Sequence, residues 1–177
     1  VGIIVRALET VPQIPGRLER VHTVHEGGVS VFVDYAHTPD ALIKALSAVK
    51  SLSEGRTIVV FGCGGDRDTS KRALMGKAAL EADVAIVTSD NPRSESPEAI
   101  IDMIVDGMRD SDGAYFVEPD RRSAIALAIE QAQPGASILI AGKGHEDYQL
   151  IGGETIHFSD VETAAEELER AFSAEQA

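Results

Sequence analysis

The sequence alternates short apolar segments with longer amphipathic ones, and this alternation constrains its fold more than any other feature. Two of the short segments, Thr57–Phe61 (TIVVF) and Ser137–Ala141 (SILIA), are apolar almost throughout. Such segments are typical of strands that are covered on both faces of a parallel sheet. Because parallel strands are joined by long crossovers, usually helices, the sequence predicts an α/β protein.

Five strand–helix alternations can be placed from the residue pattern. Strands are predicted at residues 29–34, 57–61, 84–88, 115–117 and 137–141, and a hairpin at residues 149–158. Helices are predicted from Thr38-Pro39 with Thr38 as N-cap, from Ser70 to about Glu81, from Ser96-Pro97, after the N-cap Asp120, and from Asp160 to about Ala174. We therefore predict a Rossmann-like, doubly wound, mostly parallel sheet, whose ligands bind beyond the carboxyl ends of its strands.

The N-terminal residues fit this scheme less well. Two prolines and a glycine give residues 11–16 the composition of a linker. We predict that residues 1–15 are a linker and the tail of a preceding domain, that residues 16–177 form one domain, and that residues 17–24 include an edge strand. The first residue is Val rather than Met, which indicates a piece of a longer chain.

Composition excludes several classes of function. The net charge of −13 argues against a nucleic-acid-binding protein, because phosphates require a basic face. No apolar run approaches the roughly 20 residues that a membrane-spanning helix needs, so no membrane partner is expected. The single cysteine, Cys63, cannot form a disulfide within the chain, which suits a reducing cytoplasm.

The unusual loops all follow predicted strands at their carboxyl ends, at residues 34–40, 62–70, 89–95 and 141–149. One site built from four loops is therefore expected. The scarce basic residues of this acidic chain concentrate in its motif loops, at Arg17, Arg67, Lys71, Arg72, Arg93 and Lys143. This concentration is a weak indication of an anion site, and solvated surface charge explains any one of them equally well.

Two loops combine residues that fix the backbone with charged side chains, namely residues 90–93 (DNPR) and 142–146 (GKGHE). Arginine presents a rigid fork that fits a carboxylate, and Arg93 follows a stiffening proline. Glycines flank Lys143 and allow backbone amides to approach an anion, while Glu146 is suited to an ammonium group. Together the loops favour a small zwitterion with carboxylates and an ammonium, and a turn with a helix cap is the alternative for residues 90–93.

The other loops are less specific. The glycine-rich residues 62–68 match neither the P-loop pattern nor GxGxxG, so they form either a plain turn or a close approach to a ligand or loop. Cys63 is predicted to fill that turn rather than act as a nucleophile. Asp34 ends another strand, where an aspartate can hold a ribose hydroxyl or a metal-bound water. His37 follows it at the same edge, although a lone histidine is more often a capped or solvated residue. With no triad context and no zinc spacing, no catalytic or metal-binding residue is assigned to this chain.

Five motifs in order resemble the C-terminal domain of the Mur ligase family, and within it the diaminopimelate-adding members: PGRLE, VDYAHTPDAL, FGCGGDRDTSKR, TSDNPRSESPEAI and AGKGHEDYQ. The resemblance covers essentially the whole chain. It implies the Rossmann-like third domain of an enzyme whose other domains bind a UDP-sugar and carry the P-loop. In such an enzyme ATP phosphorylates the substrate carboxylate, and the incoming amino group attacks the acyl phosphate to give an amide, ADP and phosphate.

The resemblance also implies roles for individual residues. Diaminopimelate would contact Arg67, Asp90, Asn91, Pro92, Arg93, Gly142 and Glu146; ATP would contact Arg17, Asp34 and His37; and Lys71 would contact a phosphate. The DNPR motif resembles that of members using meso-diaminopimelate rather than lysine, and the second carboxylate of diaminopimelate suits Arg67 and Arg93 as clamps. Thr69 and Ser70 stand where many members have Lys and Gly, so a phosphate contact from position 69 is in doubt.

Three hypotheses follow. The first is the amino-acid-binding domain of a monomeric ligase in the bacterial cytoplasm, with ATP, Mg²⁺ and UDP-MurNAc-L-Ala-D-Glu bound through the missing domains. Lacking a P-loop, this chain alone is not expected to hydrolyse ATP. The second is an autonomous module that binds diaminopimelate or a wall peptide without catalysis. The third is a ligase for lysine or glutamate tails, against which Arg93 argues. A generic nucleotide-binding domain fits least.

Overall fold

The computed structural model describes residues 12–23 and 28–173. Within them the strands are β1 Glu19–Val21, β2 Ser30–Asp34, β3 Thr57–Phe61, β4 Val84–Val87, β5 Ala114–Val117, β6 Ser137–Ala141, β7 Tyr148–Ile151 and β8 Glu154–His157. The helices are α1 Pro39–Leu52, α2 Lys71–Ala79, α3 Pro97–Val105, α4 Arg121–Gln131 and α5 Asp160–Phe172. The predicted alternation of strands and helices is confirmed.

Six strands form one mixed sheet in the order β1-β2-β6-β3-β4-β5. Strands β2 to β6 run parallel, and β1 pairs antiparallel with β2 at one edge. The doubly wound, mostly parallel sheet and the edge strand predicted near residues 17–24 are thus confirmed. The hairpin of β7 and β8 is separate from this sheet and turns at the predicted Gly152-Gly153.

Helices cover both faces of the sheet because neighbouring residues of each central strand point in opposite directions. In β3, Val59 and Phe61 face the cluster formed with α1, α2 and α3. Ile58 and Val60 face the second cluster, formed with α4 and α5. Burial on both faces explains why β3 and β6 read as continuous apolar runs rather than alternating ones.

Side-chain caps set most helix starts. Thr38 and Asp120 accept hydrogen bonds from the backbone of Ala41 and Ser123, so both predicted N-caps are confirmed. The helix predicted from Ser70 to Glu81 is shorter and runs from Lys71 to Ala79. Its start is displaced because the backbone N–H and hydroxyl of Ser70 both donate to Asp68, which closes a local turn instead of a cap.

The predicted N-terminal tail, residues 1–15, lies mostly outside the described residues. Residues 12–15 are exposed and belong to no helix or strand, and Gly16 then enters the domain against the 144–145 backbone. The last helix, predicted to end near Ala174, ends at Phe172, and position 174 itself is not described. Among the described helices none is both long and apolar enough to cross a membrane.

Candidate active site at the carboxyl edge of the sheet

A cavity of about 320 Å³ opens where β2, β3, β4 and β6 end. The loops that follow these four strands supply its walls, as the sequence predicted. Its lining consists of Tyr35, His37, Gly62, Cys63, Gly64, Arg67, Lys71, Asp90, Asn91, Arg93, Gly142, Glu146 and Tyr148. Six of the seven residues predicted for diaminopimelate therefore meet in one cavity, together with His37 and Lys71.

Pro92 is the member of that predicted set that does not line the cavity. A Cβ atom added at Gly65 would lie 1.9 Å from the Pro92 carbonyl oxygen, so the two loops touch through their backbones. Pro92 therefore shapes the loop that carries its neighbours. The glycine at position 65 is required there because any side chain would collide with this carbonyl group.

Three cationic side chains reach the cavity. Arg93 is half-buried, and its Nη1 donates to the carbonyl oxygens of Gly65 at 2.8 Å and Asn91 at 3.3 Å. Arg67 is exposed, and Lys71 donates through Nζ to the His37 carbonyl oxygen at 3.0 Å. The backbone contacts orient Arg93 and Lys71 toward the cavity, where their charge favours an anionic ligand.

The hairpin of β7 and β8 fixes the backbone of Arg93. The Arg93 N–H donates to the Leu150 carbonyl at 2.9 Å, and the Gly152 N–H donates to the Arg93 carbonyl at 2.9 Å. Arg93 has a φ of 54°, in the left-handed region that non-glycine residues seldom adopt. The hairpin thus determines where this guanidinium group points, which the sequence motif alone did not reveal.

The 90–93 and 142–146 loops hold an amide and a carboxylate next to each other in a fixed arrangement. The Oδ1 atom of Asn91 accepts hydrogen bonds from the Leu150 N–H at 3.0 Å and from Lys143 Nζ at 3.4 Å. Its Nδ2 group must then be the donor side, and it donates to Glu146 Oε2 at 2.9 Å. Asn91 therefore offers donors and Glu146 an acceptor beside the cavity, a pairing suited to the carboxylate and ammonium of an amino acid.

The environment of Lys143 is not the one expected if its side chain belonged to an anion-binding loop. Its side chain is fully buried and donates to the Tyr148 carbonyl oxygen, with Glu146 Oε2 3.7 Å from Nζ. Burial lowers the pKa of the Lys143 ammonium, opposed chiefly by Asp90. The lysine supports Asn91 and Glu146 from behind instead of facing a ligand.

The two glycines beside Lys143 serve close packing of loops. A Cβ at Gly142 would lie 2.6 Å from Asp90 Oδ2, and one at Gly144 would lie 2.7 Å from the Tyr35 Cβ. Both glycines therefore allow close packing of neighbouring loops, and Gly142 also lines the cavity, where its predicted approach to a ligand stays a prediction. Arg72, grouped with the loop cations from sequence, is likewise buried, and its Nη1 and Nη2 atoms each lie 2.8 Å from the Glu95 carboxylate.

Cys63 lines the cavity but is unsuited to nucleophilic attack. The residue is 5% exposed, and burial, followed by the charge of Asp90, raises the pKa of its thiol to about 12. A thiol with that pKa is protonated at neutral pH and a poor nucleophile. The prediction that Cys63 fills a turn agrees with this environment.

Two of the residues predicted for ATP, Arg17 and Asp34, do not line the cavity. His37 is exposed and lines the cavity, and the Arg17 guanidinium lies 5.0 Å from the centre of the Tyr35 ring. Asp34 connects the end of β2 to the segment before β1, because its Oδ2 accepts a hydrogen bond from the Leu18 N–H at 2.8 Å. Sequence reasoning did not select Tyr35, which directly follows β2 beside these residues and whose ring also meets those of His37 and His145.

Fold and cavity together define the class of this protein: a doubly wound α/β domain with a cleft of mixed charge at the carboxyl edge of its sheet. Residues 16–144 match the family model described as Mur ligase, glutamate ligase domain. The chain therefore belongs to the Mur ligase family.

Curated relatives are identical to this chain at about half of the aligned positions. It is 54% identical over 167 residues to UDP-N-acetylmuramoyl-L-alanyl-D-glutamate--2,6-diaminopimelate ligase of Trichormus variabilis, an alignment covering 92% of this chain and 33% of that protein. A protein of the same name from Listeria monocytogenes is 51% identical over 157 residues, covering 88% and 31%. The chain thus spans about a third of the length of the curated relatives it matches.

Solved structures agree with the fold. A structure bearing the name of that diaminopimelate ligase has a TM-score of 0.81 at 42% identity and covers 98% of this chain and 34% of its own. UDP-N-acetylmuramate-alanine ligase from Thermotoga maritima has a TM-score of 0.65 at 18% identity, covering 97% and 33%. The second likeness shows the fold alone.

Proposed function

We propose that this chain is the amino-acid-binding part of an ATP-dependent ligase that joins meso-diaminopimelate to UDP-MurNAc-L-Ala-D-Glu. The observation that carries this proposal is the arrangement of charge in the cavity. Arg67, Arg93 and Lys71 supply cations, whereas Asn91 and Glu146 supply a donor and an acceptor held by a hydrogen bond of 2.9 Å. meso-Diaminopimelate, which carries two carboxylates and two ammonium groups, can satisfy both the cations and the acceptor.

Selection between diaminopimelate and lysine follows from the same groups. Diaminopimelate differs from lysine by a carboxylate at the far end of the side chain. Lysine would leave the half-buried Arg93 without that partner, and leaving such a charge unpaired costs about 2–5 kcal/mol. The high identity to relatives named as 2,6-diaminopimelate ligases supports the same choice.

The remaining substrates are assigned to the whole ligase. ATP would supply the phosphoryl group that activates the carboxylate of the UDP-linked substrate. We propose Arg17, Asp34 and His37 as its contacts, and Lys71, whose Nζ donates to the His37 carbonyl oxygen, as a contact of a phosphate. The described residues contain no cluster of three side chains suited to a metal ion, so no Mg²⁺ ligand is assigned to them. We place the reaction in the bacterial cytoplasm, where peptidoglycan precursors would be assembled.

The test is an NMR titration of this chain with meso-diaminopimelate, with L-lysine as the control ligand. We expect amide shifts at Arg67, Asn91, Arg93 and Glu146 with meso-diaminopimelate. Arg93→Ala should weaken its affinity by about 30-fold or more, since truncating one partner of a hydrogen-bonded charge pair costs 2 kcal/mol or more. Arg109→Ala is the matched control, because Arg109 is an exposed arginine that pairs with Asp106 and does not line the cavity.

Equal affinities for L-lysine and meso-diaminopimelate would contradict the proposed substrate. Shifts confined to residues outside the cavity would contradict the proposed site. A loss of affinity in Arg109→Ala as large as in Arg93→Ala would show that the effect is general electrostatics and that Arg93 is no clamp.

A further inference from the structure

A buried ion pair lies behind the cavity, on the face of the sheet covered by α4 and α5. Arg121, the first residue of α4, donates from Nε and Nη2 to the two carboxylate oxygens of Asp160, both at 2.8 Å. The two side chains are completely inaccessible to solvent. Burial opposes the charge of Arg121, but Asp160 more than offsets it, so the pKa of Arg121 lies above its ordinary value and the guanidinium remains charged.

The same guanidinium group holds two loops. Arg121 Nη1 donates to the Ser89 carbonyl oxygen at 3.3 Å, and Nη2 donates to the Ala141 carbonyl oxygen at 3.1 Å. Ser89 immediately precedes Asp90, and Ala141 immediately precedes Gly142. Arg121 therefore contacts the last backbone group before each of the two loops that supply most of the proposed ligand contacts.

No ladder of strand hydrogen bonds joins these two loops, because β3 lies between β4 and β6 in the sheet. Their spacing is nevertheless narrow. A Cβ at Gly142 would lie 2.6 Å from Asp90 Oδ2, and the hydrogen bond from Asn91 to Glu146 also crosses from one loop to the other. A shift of either loop by an ångström would break this bond and reorient both groups.

We propose that Arg121 is a positioning residue for the amino-acid site, and that Asp160 holds it in place. Its guanidinium group sets the spacing of the 89–95 and 141–149 loops from behind, and through that spacing it aligns Asn91 with Glu146. The role in ligand affinity rests on the proposed function, whereas the role in loop spacing can be measured without a ligand.

The test compares three variants of this chain. Arg121→Met with Asp160→Leu replaces the buried pair by apolar side chains, a change that often leaves stability unaltered or raised while removing both carbonyl contacts. Arg121→Lys keeps the charge opposite Asp160 but cannot reproduce the planar fork. Arg122→Met is the matched control, because Arg122 is the next residue of α4 and pairs with Glu166 and Glu167 of α5 near the surface.

The double variant should keep a cooperative thermal transition and lose affinity for meso-diaminopimelate by about tenfold to 100-fold, the scale of losing one hydrogen bond to a charged group of the ligand. Arg121→Lys should weaken binding similarly even if its melting temperature approaches that of the unsubstituted protein. Without ligand, the amide signals of Asp90 and Gly142 should move in both, and Arg122→Met should change neither signals nor affinity.

Unchanged Asp90 and Gly142 signals in both Arg121 variants would overturn the proposal whether or not the ligand binds. Leu168→Ala is a second control, because it destabilises the core without removing a contact to either loop. If affinity and melting temperature fall in the same proportion in Arg121→Lys and in Leu168→Ala, the proposal is also overturned. Leu168 lies eight residues beyond Asp160, roughly 12 Å along α5 at 1.5 Å per residue. If the unsubstituted chain does not bind meso-diaminopimelate, the proposed function fails. The amide signals measured without ligand still decide whether Arg121 sets the spacing of the two loops.

Discussion

Arg93 combines a side chain that lines the cavity with an unusual backbone conformation. Its guanidinium group reaches the cavity, and its backbone is held at a φ of 54° by hydrogen bonds to Leu150 of β7 and to Gly152 in the turn of the β7–β8 hairpin. A residue with a Cβ atom in the left-handed region loses roughly 1–2 kcal/mol relative to the right-handed one, and glycine avoids most of that loss. Glycine would adopt this φ at a lower free-energy cost than arginine. An arginine at this position therefore indicates that its side chain is required.

This strain is measurable through two substitutions that both remove the guanidinium group. Arg93→Gly should be more stable than Arg93→Ala by about 1 kcal/mol, because only alanine retains the Cβ atom at the positive φ. Chemical denaturation of the two variants gives the difference directly. An alanine variant as stable as the glycine variant would show that the hairpin does not impose the left-handed conformation in solution.

Lys143 and Arg72 show that residue patterns did not predict the direction in which a side chain points. Lys143 belongs to a loop that was correctly predicted to lie at the carboxyl edge of the sheet, and Arg72 lies in the first turn of α2, just after another such loop. Their side chains nevertheless point inward, to the Tyr148 carbonyl and to Glu95 respectively. Direction depends on loop backbone angles and on partners distant in sequence, and neither is encoded in the local pattern that revealed Asn91 and Arg93.

At the level of elements, α2 is joined to the loop before α3 by Arg72 and Glu95. Both Nη atoms of the buried Arg72 lie 2.8 Å from the Glu95 carboxylate, and Glu95 also accepts from the Asp66 N–H. Since Arg72 Nη2 further contacts the Gly64 carbonyl at 3.3 Å, this pair connects α2 with two of the cavity loops.

The connection should weaken in acid. The hydrogen bonds from Arg72, followed by that from Asp66, lower the pKa of Glu95 from 4.5 to about 2. A carboxyl group whose pKa is depressed in the folded state stabilises it fully above the unfolded value and loses that contribution as the pH falls through the folded value. The stability difference between the protein and Glu95→Gln should be constant above about pH 5 and shrink as the pH falls toward 2.

Urea denaturation at several pH values between 2 and 6, about the range in which the group titrates, measures that difference. The same glutamine substitution in an Arg72→Met background is the control, since the main cause of the lowered pKa is then absent. A difference that stays constant down to the lowest pH at which the protein folds would contradict the assignment of the pKa shift to this pair.

Element positions were the most predictable feature of the sequence. Caps such as Thr38 and Asp120, together with the continuous apolar runs of β3 and β6, are local signals that the tertiary structure preserved. The order of the strands was less accessible, because β6 lies between β2 and β3 in the sheet although five elements (α2, β4, α3, β5 and α4) separate it from β3 along the chain. The contacts of Arg121 with the loops after β4 and β6 depend on this strand order, so the sequence did not reveal them.

Across the whole molecule, one sheet serves two hydrophobic cores. The core with α1, α2 and α3 and the core with α4 and α5 contact opposite faces of the same strands, so that β3 contributes Val59 to the first and Ile58 to the second. A loss of packing on either face therefore weakens the support of the other. The two cores should behave as a single cooperative unit even though their helices lie on opposite sides.

Leu168→Ala tests this coupling. Leu168 is 1% exposed in the second core, and truncating a buried leucine costs about 2–5 kcal/mol. Thermal unfolding followed through methyl signals of Leu46 in the first core and Ile129 in the second should shift to the same lower midpoint. Leu74→Ala, at an exposed position of α2, should change stability by less than about 0.5 kcal/mol. Separate midpoints for Leu46 and Ile129 would mean that the α4–α5 layer unfolds alone, and the cavity loops that Arg121 joins would then lose their support before the rest of the sheet.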